Sequence, residues 1–421
     1  MTLMKKLTEF VSKHISDDTT RLILDKAKWP DIDMEIAVNC IESRRKLRGK
    51  VNEWYEDSRL IFPLKLSAEQ CSSSATALYK ASVAAKIGKS LADLTGGLGV
   101  DSWFFSQKLE HVLYNEMQEK LFNATEYNFR TLDATNITTN CGTAEKGNIC
   151  NILGNFRPEI IFMDPARRGE GGRKVFLIEE CTPDVLSLKD ELFSYCRHIL
   201  LKLSPMADIS MVCERLGRTC REVHVVAAGG ECKELLIWMD KEWDDDYSIT
   251  AAELPGSYPD KPEATFTFKL SDERSCIPET ADLESLTCNI TDNMFLFEPG
   301  KAMMKAGCFN LMSSHFGIGK LGRSTHYYIV LSDDYAEPLT DLGKVFRIKR
   351  IDHLDKKSIK ALGNEFPNAD VSARNIPMTS EMLAKRIGCG PGNGIHIFGL
   401  KSDTEGSILI TAERTSKPLS I

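Results

Sequence analysis

The chain carries 13 cysteines, yet no two stand at C-x-x-C spacing. Cysteines scattered in this way give no metal-binding motif, so the expectation is a reduced, cytoplasmic setting and no bound metal. Long apolar runs are missing too: nothing approaches the roughly eighteen residues of a membrane span. The opening Met1-Thr2-Leu3-Met4-Lys5-Lys6 leads into mixed amphipathic sequence, without the apolar core of a secretion signal. Neither a membrane nor an obligate protein partner is implied. There are no long repeats and no low-complexity tract. A surplus of positive charge is absent as well, and the net charge of −7 argues against a general nucleic-acid binder. That deficit is uneven. Residues 301–421 hold 17 Lys and Arg against 12 Asp and Glu, with no acidic residue from Lys301 to Val330, while the rest holds 36 against 48. A basic C-terminal third points to a polyanionic partner there, with a solvated surface as the plainer alternative.

What is present suffices for a sizeable core. At 421 residues and 42% apolar composition, two to four domains are expected. The chain is organised around Leu91-Ala92-Asp93-Leu94-Thr95-Gly96-Gly97-Leu98-Gly99-Val100-Asp101. An apolar run ends in a carboxylate, a glycine-rich turn follows, and a helical pattern starts at Val100. Such glycines permit a tight turn and close approach of backbone to a ligand, which the N–H groups of the new helix would face. A second strand, His111-Val112-Leu113-Tyr114, runs into Asn115-Glu116-Met117. A third apolar run, Ile160-Ile161-Phe162-Met163, ends in Asp164-Pro165-Ala166-Arg167-Arg168-Gly169. In a parallel sheet Asp93, Glu116 and Asp164 would share the carboxyl edge, where ligands bind.

From Ser90 to Asp240 strands and helices alternate. Strands are expected near 90–95, 111–116, 137–143, 158–163, 199–203, 221–228 and 233–239, and helices near 99–109, 117–133, 181–197 and 206–217. One strand per helix implies a doubly wound, mostly parallel sheet. Only Gly229-Gly230-Glu231-Cys232 separates the last two strands, which should therefore form a hairpin.

Two families compete for this pattern. A dinucleotide dehydrogenase wants G-x-G-x-x-G with its acidic residue afterwards. Here the register is Asp93-x-x-Gly96-Gly97-x-Gly99, with the carboxylate first. That order, Glu116 on the next strand, Asp164-Pro165 on the fourth and a closing hairpin resemble the class I S-adenosylmethionine-dependent methyltransferases over roughly residues 60–242. The resemblance implies an α/β fold with a seven-stranded sheet whose last strand is antiparallel, and S-adenosyl-L-methionine as cofactor. By the same resemblance Asp93, Thr95, Gly96, Gly97 and Gly99 hold the methionine part, Glu116 and Met117 the ribose region, and Asp164 the place where methyl donor and acceptor meet. Thr143, within Cys141-Gly142-Thr143-Ala144, stands where a group often meets the adenine amine.

The fourth-strand motif bears on the acceptor. Enzymes acting on exocyclic amines of bases carry Asn/Asp-Pro-Pro and an aromatic, whereas this chain has Asp164-Pro165-Ala166-Arg167. Asp164, Pro165 and Arg167 are the candidate catalytic residues; Arg167 could stack on a base or hold a phosphate. The Asp-Pro-x-Arg form looks closer to RNA uridine C5 methyltransferases, but Leu203 of Lys202-Leu203-Ser204-Pro205 stands where those enzymes have their cysteine. Cys181 and Cys232 are more simply read as small core or loop residues. Lys202 either points at the site or merely closes its strand. Glu231-Cys232-Lys233-Glu234, in the final hairpin turn, lies on the site edge in such a fold, with an ordinary polar turn as the simpler reading. Ser67 is a candidate helix cap with Gln70 at the capping-box position, and Gln70, Ser73 and Lys80 could reach the cofactor's carboxylate, with a plain packed helix as the alternative.

The remaining regions frame this centre. Residues 1–60 read as a helical N-terminal region, with Leu7, Phe10, Val11 and His14 on one face and i,i+4 charge pairs from Glu42 to Trp54. Residues 61–242 are the methyltransferase-like domain and 243–343 an α+β middle region that opens after Asp244-Asp245-Asp246. Residues 344–421 form a compact α+β module that resembles a THUMP-like domain, which implies RNA, either tRNA or rRNA, as partner. Arg347, Lys349, Arg350, Lys356, Lys357, Arg374, Lys385 and Arg386 are the candidate backbone contacts. The expected activity is methyl transfer to RNA. A protein or small-molecule methyltransferase, or a binding protein that keeps the fold without catalysis, are the alternatives.

Overall fold

The computed structural model describes residues 2–167, 178–283, 290–392 and 394–415. The chain divides into two compact units, Met1–His224 with Lys233–Tyr247, and Val225–Cys232 with Ser248–Ile421.

The first unit opens on helices Thr2–Lys13, Thr19–Leu24 and Met34–Leu47. Leu7, Phe10 and Val11 bury one face among Leu22, Val38 and Ile41, as the spacing requires. His14 lies just past its helix, its ring tilted against Phe10. The charges after Glu42 do not pair along their own helix. Glu42 bonds Lys65, Lys46 bonds Glu69, and buried Arg44 donates to the carbonyls of Trp54, Tyr55, Asp57 and Leu60. A long cation facing inward found carbonyls left open by the short helix Asn52–Glu56 and the loop after it.

Strands β1 (Ser90–Asp93), β2 (His111–Glu116), β3 (Ile137–Cys141), β4 (Ile160–Met163) and β7 (His198–Leu203) are parallel neighbours in the order β3-β2-β1-β4-β7. Two-residue strands β5 (Ala166–Arg167) and β6 (Cys181–Thr182) pair with each other. β8 (Cys220–Ala228) and β9 (Glu231–Asp240) follow, and β9 runs antiparallel to β7. The expected reversal of the last of these strands is therefore present. The sheet does not stop at seven strands. β10 (Ser248–Leu254) and β11 (Ala264–Lys269) bring it to nine. The acidic run Asp244–Asp246 stands just before the division of the two units, which falls between Tyr247 and Ser248.

In the second unit, β12 (Phe295–Pro299), β13 (Gly319–Lys320), β14 (Tyr328–Val330), β15 (Gly343–His353), β16 (Asp370–Arg374), β17 (Ile395–Ser402) and β18 (Gly406–Arg414) form one sheet. Its order is β13-β14-β12-β15-β18-β17-β16. Its core includes Leu296, Tyr327, Phe346, Phe398 and Ile410. Among the described residues no helix is long and apolar enough to cross a membrane.

Candidate active site

A cleft of about 1430 Å³ opens in the first unit, lined by the residues that follow β1, β2, β4 and β7. Parallel strands bring their carboxyl ends to one edge, and the loops there leave a crevice. Asp93, Thr95, Gly96, Gly97, Gly99, Glu116, Met117, Thr143, Asp164 and Pro165 all line it.

Local sequence explains the tight packing of the glycine loop. Gly99 has φ 87° as the cap of helix Val100–Ser106, and a Cβ there would meet Thr125 Cγ2 at 2.5 Å. The loop N–H groups are already engaged: Gly96 donates to Asn115 O at 2.8 Å, Gly99 to Gly96 O at 2.8 Å, and Gly97 to Glu116 Oε2 at 2.9 Å. Glu116 Oε1 accepts the Gln118 N–H at 2.8 Å. Both oxygens of Glu116 are thus fixed by backbone, and each keeps a lone pair for a hydroxyl donor.

Asp93 is 1% exposed, and each of its oxygens already accepts one hydrogen bond. Its Oδ2 accepts the Ser102 hydroxyl at 2.6 Å and its Oδ1 the Thr95 N–H at 3.0 Å. Burial pushes its carboxyl up to about 7. Asp93 therefore fastens the loop as well as facing the cleft. Thr95 works across strands, its hydroxyl accepting the Asp164 N–H at 2.6 Å.

Asp164 pairs through Oδ2 with Lys202 Nζ at 2.5 Å. Burial opposes the lysine's charge, but Asp164, Glu234 and Asp101 outweigh it and hold the ammonium well above its ordinary range. Of the two readings of Lys202, the geometry selects the one that points at the site. Arg167 contributes its backbone to β5, opposite Cys181, while its side chain and Arg168 and Gly169 lie outside the described residues.

Behind the cleft wall is a buried ion cluster. Lys80 Nζ lies 2.7 and 2.9 Å from the two oxygens of Glu234, 3.0 Å from Ser72 Oγ and 3.3 Å from Asp101 Oδ1. Ser72 in turn donates to Asp101 Oδ2 at 2.8 Å. Burial pushes Glu234 above the usual carboxylate range, against the pull of Lys80 and Lys202.

Several expectations are corrected here. Lys80 does not line the cleft, because Glu234 holds it inside. Ser73 does not line it either; it caps helix Ser74–Ile87 by accepting the Thr76 N–H. Ser67 is no cap but lies within helix Lys65–Gln70, which has no side-chain cap. Gln70 does line the cleft. Glu234 is a buried strand residue and not part of a polar turn. Cys181 is buried and lines the cleft, whereas Cys232 does not line it. Asp101, Ser72, Ser204 and Pro205 also line the cleft and were missed. Position was the available signal for the last two, since they directly follow a strand at the ligand edge.

In the second unit the eight basic candidates fall into two groups. Lys349 pairs with Glu413, Arg350 with Asp352 and Glu365, and Arg347 lies over the Phe295 ring and bonds Asp292 O. Arg374 lies over Tyr327, 3.9 Å from Glu298. Lys356 and Lys357, in the first turn of helix Lys356–Glu365, and Lys385 and Arg386, in the last turn of helix Ser380–Ile387, are exposed. These four make no ion pair among the described residues. Among the described residues no three His, Cys, Asp or Glu side chains are grouped to hold a metal.

Residues 295–335 match a family described as a ferredoxin-like domain. No curated protein matches the chain. Over 98% of both chains, the protein is similar to a solved structure from Porphyromonas gingivalis W83 described as a "putative methyltransferase", with 28% identity and a TM-score of 0.83. An rRNA methylase from Streptococcus thermophilus overlays 39% of this chain and 94% of its own, at 11% identity and a TM-score of 0.29. TrmK of M. capricolum, solved with S-adenosyl-homocysteine, overlays 40% of this chain and 70% of its own, at 11% identity and a TM-score of 0.29. Overlays at that level fix neither fold nor activity for this chain.

Proposed function

We propose that the protein is an S-adenosyl-L-methionine-dependent methyltransferase that acts on RNA. The observation that carries the reading is one cleft into which Asp93, the glycine loop, Glu116 and Asp164 all face from the carboxyl ends of parallel strands. The likeness to the Porphyromonas gingivalis protein, over 98% of each chain, supports the methyltransferase part of this reading. The donor supplies a methyl group on a sulfonium; the chain's residues must align the acceptor with it and manage the acceptor's proton.

Glu116 suits the ribose hydroxyls, with both oxygens already oriented. Thr143, assigned to the adenine, and Met117, next to Glu116 in sequence, both line the cleft. Asp164, held by Lys202 and by the Thr95 hydroxyl, is fixed where the acceptor arrives. Its free oxygen can accept a hydrogen from the nucleophile. Pro165 shapes that end of the cleft, and Arg167 is assigned to the acceptor base or its phosphate. The RNA part of the reading is supported by Lys356, Lys357, Lys385 and Arg386, which keep exposed positive charge on two helix ends. The THUMP-like character of residues 344–421, with backbone contacts from these four and from Arg347, Lys349, Arg350 and Arg374, belongs to the same proposal.

The test has two arms. Calorimetric titration with S-adenosylhomocysteine should show binding, and radiolabelled donor should pass its methyl to RNA but not to bulk protein. Asp164→Ala should keep the ligand and lose about a hundredfold in transfer. No binding by folded protein would end the methyltransferase reading, and label appearing only in protein or small molecules would end the RNA part alone.

A further inference from the structure

Resting on that methyltransferase reading, a more specific assignment follows from how the carboxylates around the cleft are occupied. Asp93 has a backbone N–H on one oxygen, a hydroxyl on the other and 1% exposure. At 1% exposure little of it is open to a ligand. Asp164 is held by Lys202. Asp101 differs from both. It lines the cleft and is nine-tenths buried, and its Oδ1 has no hydrogen-bond partner.

The charges behind Asp101 do not cancel. Lys80 gives hydrogen bonds to both oxygens of Glu234 and only stands 3.3 Å from Asp101 without donating to it. Two carboxylates therefore share one ammonium. The next cation, Lys202, gives its hydrogen bond to Asp164, and Asp101 acts on it only through its field. A carboxylate buried this deeply without its own cation is costly, and a cationic group arriving from the cleft would relieve it. The donor's amino-acid arm carries such a group.

We propose that Asp101 is the carboxylate that receives the α-ammonium group of the methyl donor, with Ser72, Lys80 and Glu234 as its positioning residues. Asp93 is then a fastener of the glycine loop. Ser72 holds Asp101 Oδ2, and Lys80 keeps Ser72 and Glu234 in register behind it.

The test compares two ligands on the full-length protein by calorimetry. S-adenosylhomocysteine carries the amino-acid arm; methylthioadenosine has the same nucleoside and sulfur without it. Asp101→Asn should weaken the first about 30-fold, the scale of a lost charge-assisted hydrogen bond, and leave the second within about twofold. Ser72→Ala keeps the carboxylate and serves if the first variant folds poorly; it should cost S-adenosylhomocysteine about fivefold and methylthioadenosine nothing. Equal losses for both ligands, or no loss for either, would overturn the assignment. So would a wild-type protein that binds the two ligands equally well, because the arm would then go unrecognised. A wild-type protein that binds neither would bring down the methyltransferase reading itself, and the assignment with it.

Discussion

Lys80 in the first unit is 0% exposed and shares its charge among Glu234, Ser72 and Asp101. Lys349 in the second unit pairs with Glu413 at 3.1 Å, with the two side chains 42% and 53% exposed. Both are lysine–carboxylate pairs of nearly equal length, and they differ in what surrounds them. Water screens the second pair and would solvate either partner if the other were removed. The first pair has no such recourse, so each member depends on the others. Charge in the first unit therefore fixes the geometry of a cleft, while charge in the second acts mainly through its sum over a surface. Four changes would break or sharpen this contrast.

The largest effect is expected for Lys80→Met. It strands two carboxylates in the core and should cost about 3–5 kcal/mol in urea unfolding. Adding Glu234→Met should recover part of that loss, because one of the stranded charges goes with it. A loss under about 1 kcal/mol for the single variant would erase the distinction between the units.

Acid titration should separate two buried carboxylates of the first unit. Burial raises Asp93 to about 7, far above its ordinary 3.8. Below pH 4 its carboxyl is protonated in both folded and unfolded chains. Between about 4 and 7 only the folded chain keeps the proton, so stability falls as pH rises, by on the order of 4 kcal/mol in all. Asp240 behaves oppositely. Burial works to raise it, but hydrogen bonds from Arg197, Arg221 and the Glu242 N–H prevail and hold it at about 2. Its contribution of about 2 kcal/mol is complete above pH 4 and is lost as pH falls toward 2. Unfolding measured across this range should show Asp93→Asn flattening the slope from 4 to 7, and Asp240→Asn flattening the acid limb. A wild-type profile level from 4 to 7 would mean that Asp93 is not desolvated as the structure has it.

Glycine substitutions extend the contrast from charge to packing. Gly99 in the first unit has φ 87°, and an added Cβ would lie 2.5 Å from Thr125 Cγ2 and 2.8 Å from Phe129 Cζ. Gly388, the cap of helix Ser380–Ile387 in the second unit, has φ 78° with nothing within 4 Å. Both alanine variants bear the left-handed backbone cost of about 1 kcal/mol. Gly99→Ala should add about 1–3 kcal/mol for overpacking. Matching thermal shifts for the two would show that the loop yields.

The same division decides what the sequence alone makes legible. Strand ends with their carboxylates stand out because an apolar run that stops at Asp or Glu is a local pattern, and β1, β2 and β4 fell where expected. The pairing of Lys80 with Glu234 did not stand out. They are 154 positions apart, and only the fold shows that one neutralises the other. Asp101 lies in full view beside the glycines, but its role depends on Ser72 and on the share of Lys80 it receives. The acidic run Asp244–Asp246 is legible in the same local way, since the division of the two units falls just after it, at Tyr247. Short-range patterns thus give the edge of the cleft, and long-range ion pairs give its wall.

The smallest effects on stability, and the sharpest test of the second unit, concern its surface cations. Lys349→Met should change unfolding by no more than about 0.5 kcal/mol, since its pair is exposed. Reversing Lys356, Lys357, Lys385 and Arg386 to Glu should be equally mild for folding but should weaken retention on RNA. The dependence on salt should flatten by roughly one unit of slope for each true phosphate contact removed. Reversing Lys349 and Arg350 is the matched control. Their charge is already answered by Glu413, Asp352 and Glu365, so their loss should alter RNA affinity less than that of the four unanswered cations. Equal losses from both sets would mean that RNA reads the net charge of the unit. No loss from either set would leave the cleft alone to choose the acceptor.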